Sequence, residues 1–355
     1  MMFHPSAQID VQLVTAIRNV AGEAETLQTL HPVQLAILYE QQWLQLFVPQ
    51  VYNGLQLDLV KALQLEEALA WTDGSVGWTV TLCAGAAWFA GFLQPGIATM
   101  IFGEKNVCIA GSGKASGIAK KEGENYIITG GWDYASGADH ATAFTANCII
   151  EENGSVVKNS DGQPLIRPFI FLRNEVTVHQ NWQRIGMIAT GSHSFSVKEL
   201  TVNSNRAFII DPAHAVSVLP IYQYPFLQFA EATLAVNSSG MALRFLELCS
   251  GILQPGGNTQ QLYLLETCSN KLNELRTVFY KAVDISWGAC IANGNISKEL
   301  LQQVSDTSKQ LAIYSRRSVD ELYPYCGMQA ADPATEISRV WRNLHTASQH
   351  SLFNR

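Results

Sequence analysis

The sequence predicts a multidomain α+β protein in which a helical domain, a β-domain and a helical bundle follow one another. The hydrophobic spacing changes from helical to alternating near residue 108 and returns to helical near residue 211. The length of 355 residues also exceeds that of a single ordinary domain. We therefore expect an N-terminal helical domain over 1–107, a central β-domain over 108–210 and a C-terminal bundle over 211–355.

The chain is poor in charge. Charged residues make up 15% of it and hydrophobic residues 47%, whereas about 25% of a typical soluble protein is charged. This composition predicts sizeable subunit interfaces and a homo-oligomer, and it excludes a disordered chain. The net charge of −7 argues against a nucleic-acid partner, because nucleic acids attract clustered Lys and Arg.

The cysteines and the first residues indicate the compartment. The 7 cysteines are odd in number and scattered without a CxxC pair, which predicts neither a metal site nor a disulfide framework. Residues 1–10 contain no basic segment followed by an apolar core, the pattern of a secretory signal. A protein of the reducing cytoplasm is expected.

The N-terminal part has helical spacing, which Asp73-Gly74-Ser75 interrupts. Ser75 is the predicted N-cap of the helix that follows. Residues 74–103 carry no charged side chain and are long enough to span a bilayer. Because Pro95 interrupts them and no basic cluster flanks them, we expect a buried helix and then a second short helix, with no membrane partner.

The central part has the spacing of strands. Residues 144–150 alternate strictly between the two faces of a strand, and 168–172 form a short apolar run. Turn signals at 152–154 and 160–162 separate the runs. Short strands at this spacing predict a small antiparallel barrel or sandwich.

Helical spacing returns after Asp211-Pro212. Residues 265–282 and 301–322 place apolar or small side chains at intervals of three and four, which predicts two long helices packed in a bundle. Serines on the second seam would allow close approach of a neighbouring helix. A last helix is predicted to begin at Pro333 with Asp332 as its N-cap.

No nucleotide-binding signature in the sequence is complete. Gly111-Ser112-Gly113 lacks the third glycine of a dinucleotide fingerprint and the strand–helix–strand context that it requires. The residues taken alone predict an architecture and no function.

Five segments, read in order, resemble the acyl-CoA dehydrogenase superfamily, especially its branch of two-component flavin-dependent monooxygenases. They extend over nearly the whole chain and comprise residues 70–78 (AWTDGSVGW), 110–117 (AGSGKASG), 131–141 (GWDYASGADHA), 186–192 (GMIATGS) and 337–343 (ISRVWRN), the last followed by His350. The resemblance implies an acyl-CoA dehydrogenase-like fold whose C-terminal four-helix bundle forms a homotetramer.

The resemblance also implies a flavin between the β-domain and the bundle. In the family, a Ser or Thr hydroxyl on the strand that passes the flavin approaches the reactive N5 atom. By position that residue is Ala135 here, and the hydroxyl has moved to Ser136. The serines of this region also fit ordinary turn chemistry. The candidate cofactor-binding residues are Ser112, Trp132, Ala135, Ser136, Gly137 and Ser192.

Two residues are candidate bases. His350 matches a histidine that lies beside the substrate in the monooxygenases and is suited to accept a phenolic proton; a position in a loose tail is the alternative. Asp332, counted back from Arg339, occupies the place of the dehydrogenases' catalytic glutamate but is one methylene shorter. Three further histidines are expected to have structural, packing or surface roles, namely His140, His193 and His345.

The predicted substrate pocket contains Trp78 and Trp88, in an apolar wall that would exclude water. Two features depart from the family. Residues 84–88 lack the histidine that these monooxygenases often carry there. Residues 258–265 lack the arginine that reaches the FAD diphosphate, so the cofactor is FAD or FMN.

The leading hypothesis is a monooxygenase that uses O2 and reduced flavin, supplied by a separate reductase, to hydroxylate an aromatic or apolar small molecule. An acyl-CoA dehydrogenase with an atypical base is the first alternative. The second is a flavin-free relative that acts as a binding or assembly protein.

Overall fold

The computed structural model describes residues 3–254 and 256–353, and its first part is helical. The helices there are α1 (Val11–Asn19), α2 (Ala21–Leu27), α3 (Pro32–Glu40), α4 (Leu59–Thr72), α5 (Gly74–Ala87) and α6 (Pro95–Phe102). The uncharged stretch 74–103 thus forms a buried helix and, after a break, a short helix that begins at Pro95, as predicted. No helix in the described ranges combines the length and apolar character needed to cross a membrane.

A seven-stranded sheet follows the helices. Its strands are β1 (Ile109–Glu122), β2 (Asn125–Ala135), β3 (Ala143–Glu152), β4 (Ser155–Val156), β5 (Ile166–Leu172), β6 (Thr177–His179) and β7 (His193–Asn203). The pairing is antiparallel except between β1 and β3, which run parallel. The parallel pair arises because residues 136–142 cross from β2, on one side of β1, to its other side. This crossing places Ser136 at one end of the sheet.

The chain then returns to helices. They are α7 (Phe226–Leu253), α8 (Thr259–Asn293), α9 (Lys298–Leu322), α10 (Gly327–Ala331) and α11 (Glu336–Ala347). Helix α7 is central and packs against α4, α8, α9 and α11. The serines predicted on the second seam, Ser308, Ser315 and Ser318, are fully buried on α9, which lies against α7. The predicted long helices and their seams are confirmed.

The change from helices to strands falls between Phe102 and Ile109, and the change back falls between Asn203 and Phe226. Both intervals contain the boundaries expected from the sequence. The division into three domains at those boundaries stays a prediction.

The predicted N-cap of α5 was wrong. The cap is Asp73, whose Oδ1 accepts a hydrogen bond from the Val76 N–H at 2.9 Å, while Ser75 lies inside the first turn. The Asp73 N–H also donates to the Leu69 carbonyl at 2.9 Å and so ends α4. One residue therefore separates the two helices and caps both of them.

The predicted start of the last helix was also wrong. Helix α11 begins at Glu336 with Thr335 as its N-cap, whereas the prediction placed Pro333 first and Asp332 as the cap. The Asp332 N–H bonds back to the Met328 carbonyl at 3.1 Å and closes α10. Asp332 is thus engaged by the preceding helix, and a threonine with the same capping chemistry follows three residues later.

The core of the sheet is built around Trp132. Its indole is 1% exposed, stacks on Phe195 with ring centroids 5.2 Å apart, and donates to the Asn147 carbonyl at 3.0 Å. A Cβ atom at Gly117 or Gly130 would overlap this indole. Two glycines therefore make the room that one large side chain fills.

One buried carboxyl group in α4 has no partner. Glu66 is fully buried, and neither of its oxygens has a hydrogen-bond partner among the described residues. Burial raises its pKa well above the ordinary value of 4.5. The folded chain thus holds a proton that the unfolded chain loses, and the free energy of unfolding falls as the pH rises above that value.

We expect Glu66→Gln to raise the free energy of unfolding by about 1–3 kcal/mol at pH 8, because each unit of raised pKa costs about 1.4 kcal/mol. Near pH 4 the gain should largely vanish. Urea denaturation at both pH values measures the difference. Glu40→Gln, at an exposed glutamate, is the control and should change stability by less than about 0.5 kcal/mol. An equal gain at both pH values would show that ionisation is not the cause.

Candidate active site

Two predicted serines meet at the end of the sheet. Strands β2 and β7 pair with Ala135 opposite His193, so the residue after β2 and the residue before β7 become neighbours. The Ser136 and Ser192 hydroxyl oxygens lie 2.8 Å apart, and the Thr190 hydroxyl lies 2.6 Å from that of Ser192. All three side chains are buried.

Gly137 holds the turn that follows Ser136. Its N–H donates to the Thr190 carbonyl at 2.8 Å, and its φ of +75° lies in the left-handed region that favours glycine. A Cβ atom there would lie 2.8 Å from the Cys83 sulfur. The turn and α5 are therefore in close contact.

Helix α5 contributes Trp78 to the cluster. The Trp78 Nε1–H donates to the Ser136 hydroxyl at 3.2 Å. Five residues later, the Cys83 thiol donates to the Ser136 carbonyl at 3.4 Å. The Thr79 hydroxyl beside them is buried and has no hydrogen-bond partner among the described residues.

The C-terminal tail completes the cluster with His350. Its ring meets the Trp78 ring edge-on with centroids 6.0 Å apart, and its Nδ1 accepts a hydrogen bond from the Leu352 N–H at 3.3 Å. The structure thus brings together four residues predicted from separate segments. They are Trp78, Ser136, Ser192 and His350, and we call them the Ser136 cluster.

The thiol of Cys83 stays protonated in this setting. Its hydrogen bond with Cys108, at 3.6 Å between the sulfurs, and its burial raise its pKa well above 9.0. A thiol with a raised pKa is a poor nucleophile. Cys83 therefore fixes the position of Ser136 and does not supply reactive sulfur.

The neighbouring histidines have structural partners, as predicted. His193 Nδ1 accepts the N–H groups of Asn181 and Trp182 at 3.0 and 3.1 Å, and its Nε2 lies 3.4 Å from Asp139. His140 lies 2.9 Å from the Thr29 hydroxyl. Burial lowers the pKa of His140, against the opposing effect of the Asp139 carboxylate.

An exposed aromatic group adjoins the cluster. Tyr134 lies at a bulge between β2 and β7, has a φ of +67° and is 61% exposed. Its ring meets Trp182 edge-on at 6.2 Å, and the Arg184 guanidinium lies over the Trp182 ring at 5.1 Å. A left-handed tyrosine is uncommon, and strained residues of this kind concentrate at functional sites.

Four other predicted residues lie in different settings. Ser112 is half-buried on β1, opposite Ala146 and just before a bulge. Trp132 belongs to the core of the sheet through its side chain. Trp88 is 1% exposed and donates to the Ile221 carbonyl within a cluster of aromatic rings. Asp332 is exposed and accepts a hydrogen bond from the nearby Ala334 N–H.

Thr190 and Cys83 contact the Ser136 cluster and were not predicted. Thr190 lies two positions before Ser192, in the segment 186–192 that carries the resemblance. Listing every hydroxyl-bearing residue of that segment would have identified Thr190. Cys83 carries no local signal, because its contact with Ser136 depends on how α5 docks on the sheet.

Two cavities lie apart from these residues. One of about 400 Å³ is lined by Arg18, Trp71 and Glu336 among others, and one of about 260 Å³ is lined by Tyr39, Phe102 and Val107 among others. Neither contains a member of the Ser136 cluster. The hydrogen bonds from Trp78, Cys83 and Ser192 converge instead on Ser136.

Known proteins resemble the chain along most of its length. A scan against models of protein families finds no match. The chain is 24% identical over 367 residues to the flavin-dependent monooxygenase oxygenase subunit HsaA of Mycobacterium tuberculosis, an alignment that covers 97% of this chain and 90% of HsaA. It is 23% identical over 315 residues to indole-3-acetate monooxygenase of Acinetobacter baumannii, covering 86% of this chain and 79% of that protein.

Solved structures agree with these sequence relationships. The HsaA crystal structure from M. tuberculosis matches with a TM-score of 0.89 at 22% identity, covering 98% of this chain and 92% of that one. The chain is a homologue of the two-component flavin-dependent monooxygenases. XiaF from Streptomyces sp., whose structure is a complex with FADH2 and glycerol, matches with a TM-score of 0.87 at 17% identity, covering 96% of this chain and 89% of that one.

These monooxygenase relatives confirm the predicted resemblance and fold class, with helices on either side of a mostly antiparallel sheet. The class of function predicted from the sequence, a flavin-dependent oxidoreductase, is that of the relatives. They also support a flavin as the cofactor.

Proposed function

We propose that the chain is the oxygenase component of a monooxygenase that uses O2 and reduced flavin to hydroxylate an aromatic or similarly apolar small molecule. The observation that carries the proposal is the Ser136 cluster, in which residues predicted from four distant segments meet. The names of the relatives add support, since HsaA is a flavin-dependent monooxygenase and indole-3-acetate is an aromatic compound.

The residues of the site fit a flavin. A flavin ring needs hydrogen-bonding groups along a polar edge and aromatic or apolar groups against its faces. The hydroxyls of the cluster and the unpartnered hydroxyl of Thr79 are suited to the edge. Tyr134 and Trp182 offer exposed and half-buried rings beside it.

When bound, reduced flavin would supply the electrons that activate O2 for transfer of one oxygen atom. Ser136 and Ser192 would bind its polar edge through hydroxyls already oriented by Trp78 and Thr190. The Trp78 indole would keep water away from this edge. His350 would accept the proton of a phenolic substrate.

The proposed cofactor is FAD or FMN, because no arginine is in place at the start of α8 for the FAD diphosphate. The first residues of α8, 258–265, contain no arginine. The arginine further along α8, Arg276, is buried against Glu67 at 2.8 Å and is not available to a diphosphate.

We propose a separate flavin reductase as the partner, because HsaA is described as an oxygenase subunit.

A homotetramer is proposed from the resemblance, and exposed apolar side chains on α8 support an oligomer. They are Leu262, Tyr263, Val278, Ile285 and Ile291. A cytoplasmic location is proposed as well, in keeping with seven buried cysteines that are all free thiols.

The proposal is tested by anaerobic titration with reduced FMN and reduced FAD, followed by isotopically labelled O2 in the presence of phenolic compounds. We expect reduced flavin to bind and one labelled oxygen atom to enter the product. Failure of both flavins to bind would favour the non-catalytic alternative. Anaerobic bleaching of bound oxidised flavin by an acyl-CoA would favour the dehydrogenase alternative.

We expect Ser136→Ala to weaken the binding of reduced flavin by about three- to tenfold, because one hydrogen bond contributes about 1 kcal/mol. Anaerobic equilibrium titration measures the change. Ser155→Ala, at an exposed serine on β4, should bind flavin like the wild type. Unchanged binding by Ser136→Ala would remove Ser136 from the list of flavin contacts.

A further inference from the structure

One side of α5, next to the Ser136 cluster, is less buried than the rest of the helix. Within the helix, Leu82 and Gly85 are half-buried and every other residue is buried, and Phe89 just beyond it is half-buried as well. Trp78, Leu82, Gly85 and Phe89 follow one another at intervals of four, three and four, so they form one stripe. This stripe is about 16 Å long.

The two ends of the stripe differ in chemistry. At one end, Trp78 contacts the Ser136 hydroxyl and the His350 ring. At the other end, the Phe89 ring packs against Phe208 and Phe226 with centroids 5.2 and 5.7 Å apart, and Phe226 is 39% exposed. A polar, proton-accepting end thus continues into an aromatic one.

The stripe has a gap at Gly85. A Cβ atom at this position would have no atom within 4 Å. Gly85 lies about 10 Å along the helix from Trp78, a distance that a single aromatic ring cannot bridge. No residue from 74 to 103 is charged, so the stripe itself offers no charge to a substituent of the substrate.

We propose that the stripe from Trp78 to Phe89 is one wall of a groove for an uncharged substrate made of fused aromatic rings. The reactive ring lies at Trp78 and His350, and the distal rings lie over Gly85 and reach Phe89. Aromatic side chains at both ends match such a molecule in shape and polarity. Gly85 therefore determines specificity, since its missing side chain makes room for the distal rings. The identity of the reactive end rests on the proposed function.

The test compares two probes, phenol with one ring and a phenanthrol with three fused rings. Calorimetric or fluorescence titrations are done without flavin and again with anaerobically reduced FMN. We expect the wild type to bind the phenanthrol at least about tenfold more tightly than phenol. Gly85→Leu should weaken phenanthrol binding at least about tenfold and phenol binding less than about twofold. Gly251→Leu, at an exposed glycine of α7 that also has open space at its Cβ, should change neither.

Any of three results would overturn the proposal. These are equal affinity of the wild type for both probes, an equal loss of affinity for both probes in Gly85→Leu, and phenanthrol binding by Gly85→Leu that is as tight as that of the wild type. If circular dichroism shows that Gly85→Leu does not fold, Gly85→Ala decides, with a smaller loss confined to the phenanthrol. The titrations without flavin keep the two proposals apart. Selective phenanthrol binding by a protein that takes up no flavin would support the groove and contradict the proposed function.

Discussion

Replacing His350 by alanine is expected to lower the turnover of a phenolic substrate by about 100- to 10,000-fold, the usual contribution of a general base. The imidazole lies against Trp78, which is itself bonded to Ser136, so it faces the place where the reactive ring would lie. Steady-state turnover, with product and consumed O2 both quantified, measures the loss. Added imidazole should restore part of the rate.

His345→Ala is the matched control. This histidine lies five residues earlier, stacks on Trp341 with ring centroids 4.1 Å apart and forms a hydrogen bond with Asp320 at 2.7 Å. Its loss should leave turnover within about a factor of two, because a packing residue remote from the chemistry contributes little to the barrier. If both variants lost activity equally, or if imidazole rescued neither, a base role for His350 would be rejected.

Arg276→Met is expected to lower the free energy of unfolding by about 3–5 kcal/mol. Arg276 is 1% exposed and donates two hydrogen bonds of 2.8 Å to the Glu67 carboxylate, which also accepts one from Tyr280 at 3.0 Å. Removing the cation leaves a fully buried carboxylate without its counter-charge. Guanidinium denaturation at fixed protein concentration measures the loss, since an oligomer's stability depends on concentration.

The double variant Glu67→Gln with Arg276→Met tests the cause. Tyr280 and Ser239 donate to different oxygens of Glu67. In the double variant the amide oxygen of the glutamine can accept from one of these hydroxyls, and its N–H can donate to the oxygen of the other. Because both charges are removed as well, the double variant should recover most of the lost stability. A double variant no more stable than Arg276→Met would mean that packing, and not the unpaired charge, produced the effect.

The long helices and most of the strands could be predicted because their signals are local. The intervals of three and four on α8 and α9 and the alternation along β3 follow from the geometry of single elements. The parallel pairing of β1 with β3 could not be predicted, because it depends on how residues 136–142 cross the sheet. The errors at Ser75 and Asp332 have a related cause, since neighbouring side chains with equal capping chemistry compete and tertiary packing decides.

The resemblance named individual polar residues of the candidate site. For the apolar wall, the sequence offered only a hydrophobic segment, and the choice of Trp88 within it did not place a residue beside Trp78. Ser136 and Ser192 share a hydrogen bond, and His350 lies against Trp78. The roles of these residues toward a flavin or a substrate stay a prediction. Trp88 does not share a face with Trp78, because ten residues along a helix correspond to a rotation of about 80° between side chains. Phe89, eleven residues from Trp78, returns to within about 20° of it and lies on the open stripe.

The fit of Trp132 between Gly117 and Gly130 has an evolutionary consequence. Any side chain at either glycine would overlap the indole, so neither position can drift while the tryptophan remains. A descendant could acquire alanine at 117 only after, or together with, a smaller residue at 132. Alanine at 130 would also meet the Gly117 Cα at 2.6 Å, so it needs a shift of the backbone in addition. Residues 117 and 132 should therefore change in concert among orthologous genes, and a lineage that keeps the tryptophan should keep both glycines.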